Sequence, residues 1–257
     1  IGPAPERTPA PTNILIVSLD TVAARRLDAY GYERETMPRL SEFARHAILF
    51  ENAFSQSPWT TPAHASIFTG KSPHVHGAGI HGRGYSLPDR FLTIAELLRE
   101  RGHLTAAFTE GGAVRGSTGL DQGFDSYDDS RIGKDTPAAH LVSGARTWLE
   151  GQDRAGPFFM YLHFMDVHGP YVATEHDFRV MWKAVATGPP RVLEDSESPG
   201  DHLNVHPLWA DEALRTRLAY WKARYAAGVR LFDRRISGFL KYLRKSGILD
   251  RSYLIVT

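Results

Sequence analysis

The 257-residue chain contains no cysteine. That absence excludes disulfides, thiolate metal ligation and a cysteine nucleophile together. An excess of either charge is also missing. Thirty Lys and Arg face 29 Asp and Glu, a net charge of +1, and this balance points to no nucleic-acid or membrane surface. No apolar run reaches the roughly 18 residues that a membrane span needs. What is present is 42% hydrophobic content, enough over this length for one large α/β domain or two small ones. The first residue is Ile, so a preceding signal peptide or anchor is compatible with the chain. Pro3, Pro5, Pro9 and Pro11 make residues 1–12 read as an extended linker into the fold.

Hydropathy patterning then predicts alternating strands and helices. Asn13 to Leu19 is apolar on both parities, the mark of a central strand covered on both faces, and it ends at Asp20. An acidic residue at a strand's C-terminal end is where open α/β sheets build sites. Met37 to His46 suits a short helix, Ile48 to Phe54 a second strand, Thr93 to Arg101 a helix stopped by Gly102, and Leu104 to Phe108 a strand. Phe158 to Phe164 is a further strand buried on both faces. Residues 172–210 have little periodicity and are expected to be a surface excursion or lid. From Asp211 onward Leu214, Leu218, Tyr225, Val229, Phe232, Ile236, Phe239 and Leu243 fall at helical steps, with Gly228 marking a break or a close contact. Tyr253 to Thr257 reads as a closing buried strand. Such alternation argues for an α/β fold with a doubly wound, largely parallel sheet and helices on both faces.

The most chemically informative stretch is Thr60-Thr61-Pro62-Ala63-His64-Ala65-Ser66, which sets a hydroxyl at the opening of a helix. Thr61 is a good N-cap and Pro62 suits the first helical position. Thr60 would then lie near free backbone N–H groups that favour phosphate or sulfate. Downstream, the Phe158 strand opens into Met165-Asp166-Val167-His168. Asp166 and His168 are two residues apart, so in an extended chain they share a side while His163 faces away, as a core histidine would. His74, His76 and His81 sit among Gly and Pro and read as turn residues before metal ligands.

Taken in order, these pieces resemble the sulfatase family of the alkaline-phosphatase superfamily. The resemblance runs from Asn13 to Thr257 through Asp20-Thr21, Tyr30-Gly31-Tyr32, Phe50-Glu51-Asn52-Ala53, the Thr60 block with Thr69-Gly70, Pro73, His76-Gly77, Gly123-Phe124-Asp125, His163 to Tyr171, and Asp233. It implies metal-dependent hydrolysis of sulfate or phosphate esters, on a small molecule, glycan or lipid, outside the cytoplasm. By the same resemblance Asp20 and Thr60 are metal ligands, Thr60 is the nucleophile, and His64 is a catalytic residue in the place of an arginine. Asp166, His163 and His168 are implied substrate contacts, His168 through its His-x-Pro-Tyr form. Calcium is the implied cation, or zinc or manganese for a phosphoesterase. Threonine cannot become the formylglycine of many members, and it is used directly by the phosphodiesterases and head-group transferases of the superfamily. Leu19, Ala23, Arg25 and Gly228 depart from the usual pattern, which keeps a non-catalytic anion-binding domain as an alternative. The resemblance also implies an Asp-His segment after the last strand, so residues 1–257 alone are expected to be inactive.

Overall fold

In the computed structural model the described residues are 12–79, 85–130, 138–152, 156–169, 171, 173–185 and 212–257. The expectations for the linker up to residue 11, His81, Pro170 and residues 186–210 of the excursion lie outside them.

The double-parity apolar runs become the centre of a sheet. Strand β1 (Asn13–Leu19) pairs in parallel with β4 (Phe158–Phe164) on one side and β5 (Ser252–Val256) on the other. Strand β2 (Leu104–Thr109) continues the parallel pairing from β4 to β3 (Ser126–Asp128), so the order is β3-β2-β4-β1-β5. Every residue of β4 is buried, because helices cover both faces. On one face Ile16, Ala107, Phe159 and Tyr161 pack with Ala65 and Phe68 of helix α2 (Thr60–Thr69) and with Ala95 of a helix over Ile94–Glu100. On the other, Phe108 and Phe158 meet Gly144 and Trp148 of a helix over Ala139–Gly151. Each large apolar side chain so buried contributes about 1.5–3 kcal/mol. The α/β class, with a doubly wound parallel sheet, is therefore the observed architecture.

Numbered in chain order, the helices are α1 (Pro38–Ala44), α2, α3 (Pro73–His76), α4 (Ile94–Glu100), α5 (Ala139–Gly151), α6 (Glu175–Val185) and α7 (Glu212–Lys245). The chain divides into two compact units. The first comprises Ile1–Asp20, Asn52–Met165 and Gly238–Thr257, and holds the sheet; the second comprises Thr21–Glu51 and Asp166–Ser237.

In the second unit Asp233, wholly buried, caps α1 from a distance: its carboxylate accepts from the Leu40 N–H at 2.9 Å and the Arg39 N–H at 3.2 Å. Burial still pushes its carboxyl above the ordinary range, against the pull of those bonds. At the start of α6 the Thr174 hydroxyl and the Asp177 carboxylate and N–H bond each other reciprocally, and Arg234 Nη2 donates to Asp177 at 2.7 Å. Burial alone would raise the Asp177 carboxyl, but Arg234 and Thr174 hold it below the usual range. Phe178, Met181 and Trp182 of α6 are buried against Tyr220, Ala223, Ala226 and Ala227 of α7.

Several expectations are corrected. Ile48 to Phe54 forms no strand; Ile48 is 84% and Phe54 80% exposed, so apolar alternation there had no sheet to pair with. Residues 175–185 of the expected excursion are helix α6, whose apolar spacing was masked by flanking Gly and Pro. Helix α7 runs unbroken through Gly228, which is buried in it. Strand β5 is not buried on both faces, since Tyr253 and Ile255 are 57% and 47% exposed.

The Gly123-Phe124-Asp125 segment has a direct physical reason. Gly123 has φ +88°, and a Cβ there would lie 2.2 Å from the Glu96 nitrogen at the capping box of α4. Phe124 stacks on Phe159, and the Asp125 carboxylate accepts from the Thr105 N–H at 3.0 Å. Gly123→Ala is expected to lower stability by more than about 1 kcal/mol, read as a shift of the urea midpoint; an unchanged midpoint would remove this role.

Candidate active site

Asp20 follows the last residue of β1, and its N–H is bonded to the Phe164 carbonyl at the end of β4 (3.0 Å). Thr60 is the first residue of α2, and its Oγ1 donates to Asp20 Oδ2 at 3.1 Å. His163 is wholly buried on β4, opposite Ser18 in register, and its Nε2 stands 3.8 Å from the same Asp20 oxygen. His64, one turn into α2, directs Nδ1 at the Thr60 carbonyl (2.7 Å) and Nε2 at Ser18 Oγ (3.5 Å), and its ring meets that of His163 edge-on at 4.6 Å between centroids. Burial, working against the Thr60 bond and the Asp20 charge, lowers the His64 pKa, so the ring is neutral near pH 7.

The helix start differs from the expected one. Thr61 is not the N-cap: Trp59 holds that position without a side-chain bond, and the Thr61 hydroxyl donates to the Ala113 carbonyl at 2.8 Å. Pro62 is the third helical residue. It is tolerated because the first intrahelical bond comes from the next residue, Ala63 N–H to the Trp59 carbonyl at 3.1 Å. Thr60 therefore sits inside the first turn, where N–H groups precede the helical ladder.

The structure thus brings Asp20, Thr60, His64 and His163 together in the first unit. His163 does not face away, contrary to the parity argument. Strand β4 ends at Phe164 and the chain turns through Asp166 to Gly169, so alternation does not extend from His163 to His168. Asp166 and His168 belong to the second unit. There the Asp166 side chain is buried in an ion pair with Arg235, and exposed His168 has Nδ1 2.9 Å from the Gly169 carbonyl. Asp166 is thereby engaged by an arginine of its own unit.

Two polar groups escaped sequence reading. Glu110, buried directly after β2, accepts the Met165 N–H at 3.1 Å, and the strand-end rule that singled out Asp20 applied to it equally. Ser18 was hidden inside an apolar run. The His76 ring, by contrast, is structural as read. Its Nδ1 accepts from the Ala78 N–H at 3.1 Å, so Nε2 carries the hydrogen and donates to Ser66 Oγ at 3.0 Å on α2.

These donors bear on a metal. Asp20, Thr60 and His163 supply two oxygens and a nitrogen at one point, which suits part of a divalent cation's shell. Among the described residues no group of three or more His, Cys, Asp or Glu could hold a metal. The set is therefore a partial fit that needs further ligands.

The sulfatase family matches residues 12–257. The chain belongs to that family. It is 31% identical to steryl-sulfatase of Mus musculus over 143 residues, 49% of this chain and 22% of that protein. To the ulvan-active sulfatase of Formosa agariphila it is 27% identical over 201 residues, covering 68% and 39% respectively. The chain thus spans well under half the length of these sulfatases. Among solved structures it is similar to a phosphonate monoester hydrolase of Agrobacterium radiobacter, with a TM-score of 0.71 at 18% identity over 95% of this chain and 62% of the other, a likeness of fold.

Burial lowers the His76 pKa, against a raising contribution from the Pro62 backbone. The folded state therefore disfavours the protonated ring, and its stabilising contribution is full above the unfolded value of about 6.5 and lost as pH falls below it. Urea midpoints are expected to drop from pH 7.5 to 5.5, and less steeply in His76→Gln; identical slopes in the two proteins would contradict this assignment.

Proposed function

We propose that the protein is a metal-dependent hydrolase of sulfate or phosphate esters in which Thr60 Oγ1 attacks sulfur or phosphorus in line, the bond to the ester oxygen breaks and the alcohol leaves with a proton, and water then cleaves the threonyl ester to release sulfate or phosphate. The observation that supports this reading is the 3.1 Å approach of the Thr60 hydroxyl to Asp20 Oδ2 at the end of β1. Family membership supports the ester class; Thr60 at the start of a helix supports an anionic substrate.

Magnitudes decide how Thr60 would be activated. The helix end contributes about 0.3–1 kcal/mol, or roughly 2 when partly buried. A carboxylate is a far weaker base than an alkoxide, so full proton transfer to it from the alcohol is steeply uphill. Asp20 alone is too weak a base. A divalent cation, calcium or else zinc or manganese, would supply the missing effect by stabilising the developing alkoxide; protein-bound zinc brings a water to a pKa of about 7, and calcium acts more weakly. Asp20 and Thr60 would hold it, with His163 Nε2, 3.8 Å from Asp20 Oδ2, as the third nearby donor. First-turn N–H groups of α2 would bind equatorial oxygens of the ester and fix it for in-line attack.

Asp166 and His168 remain part of the proposal as substrate contacts of the second unit. The substrate would be a small molecule or the sulfate or phosphate ester of a glycan or lipid, and the location extracytoplasmic. No described helix is long and apolar enough to cross a membrane. A phosphodiesterase or head-group transferase is the second reading, favoured by threonine at position 60 and by the phosphonate monoester hydrolase fold. A non-catalytic anion-binding domain is the remaining alternative.

Thr60→Ala in the full-length protein is expected to reduce turnover at least about 10³-fold, with folding intact. Parallel assays on nitrophenyl sulfate, phosphate and phosphodiester separate the ester classes. Wild-type turnover by Thr60→Ala would overturn the hydrolase reading.

A further inference from the structure

Both nitrogens of His64 face groups other than the Thr60 hydroxyl. Nδ1 lies 2.7 Å from the Thr60 carbonyl oxygen. A carbonyl can only accept, so Nδ1 carries the hydrogen and, in the neutral ring, Nε2 is the acceptor. Nε2 stands 3.5 Å from Ser18 Oγ, at the long end of hydrogen bonding, with the hydroxyl as donor. Tyr161, two residues before His163 on β4, is wholly buried. The imidazole is also walled in. Tyr161 and His163 meet it edge-on, with centroids 6.0 and 4.6 Å away.

A general base for Thr60 would need a free ring nitrogen aimed at Oγ1. His64 offers none. Its two bonds instead join the first residue of α2 to β1, at a serine two positions before Asp20. We infer that His64 is a positioning residue, locked as the Nδ1–H tautomer between the Thr60 carbonyl and Ser18, and that this bridge sets the Thr60–Asp20 spacing. The four-residue step from Thr60 to His64 is one helical turn, which is what lets a side chain reach back to its own helix start. Ser18 holds the other end.

The tautomer is tested directly, without reference to activity. In full-length protein labelled with ¹⁵N-histidine, long-range ¹H–¹⁵N correlations identify the His64 ring by its loss in His64→Asn. A neutral ring protonated on Nδ1 near pH 7 is expected; an Nε2–H ring, or one exchanging rapidly between forms, would overturn the inference. The kinetic arm rests on the hydrolase reading. His64→Asn places an amide N–H near the former Nδ1 and should keep turnover within about tenfold of wild type, whereas His64→Gln, which reaches toward Ser18, should lose roughly 10²-fold in kcat with little change in KM. Equal losses in two equally stable variants would overturn the positioning role. Should Thr60→Ala remain fully active, the hydrolase reading fails while the tautomer result still decides the lock.

Discussion

The first unit is organised around one short polar contact, the hydroxyl of Thr60 against the carboxylate of Asp20. Neither residue is positioned by its own neighbours in sequence. Asp20 is placed by strand pairing, its N–H bonded to the Phe164 carbonyl where β1 and β4 end together. Thr60 is placed by the packing of α2, whose Ala65 and Phe68 are buried against the sheet and whose Phe68 ring meets Tyr161 at 4.8 Å. A contact between a strand end and a helix start therefore inherits the rigidity of the core beneath it. Such preorganisation is what a nucleophile needs, since misplacement by about 1 Å can cost 10²-fold in rate.

The buried His76 and His64 rings are tolerated in this core because both nitrogens of each face a partner. His76 is saturated by Ala78 and Ser66, and His64 by Thr60 and Ser18. Burial disfavours the protonated form of each imidazole, so each can lie in the core without an uncompensated charge. The second unit solves the same problem with charges. Asp177 and Asp233 are wholly buried, and arginines, a threonine and helix N–H groups satisfy them.

Much of the sheet was legible because its strands obey one rule. Asn13–Leu19 and Phe158–Phe164 are apolar on both parities, and both are central strands with the expected bounds. The helix expected over Thr93 to Arg101 is α4, and the structure shows a Thr93–Glu96 capping box at its start. Failures came where a local rule met a tertiary alternative. Thr61 has the chemistry of an N-cap but spends its hydroxyl on Ala113, leaving Trp59 to begin the helix. Ile48 to Phe54 has strand composition and finds no partner. His163 was assigned to the wrong side because parity was carried across a turn. Of the site, Asp20 and Thr60 could be named from the chain, whereas Ser18, Tyr161 and the orientation of His64 follow only from register and packing.

The central claim is that the oxygen of Thr60 forms the covalent ester. Acid quenching of the full-length protein during turnover of an aryl sulfate or phosphate ester, followed by peptide mapping in a mass spectrometer, tests it most directly. The account predicts a sulfo or phospho ester on the peptide bearing Thr60, at that residue. An ester trapped on any other side chain would contradict it.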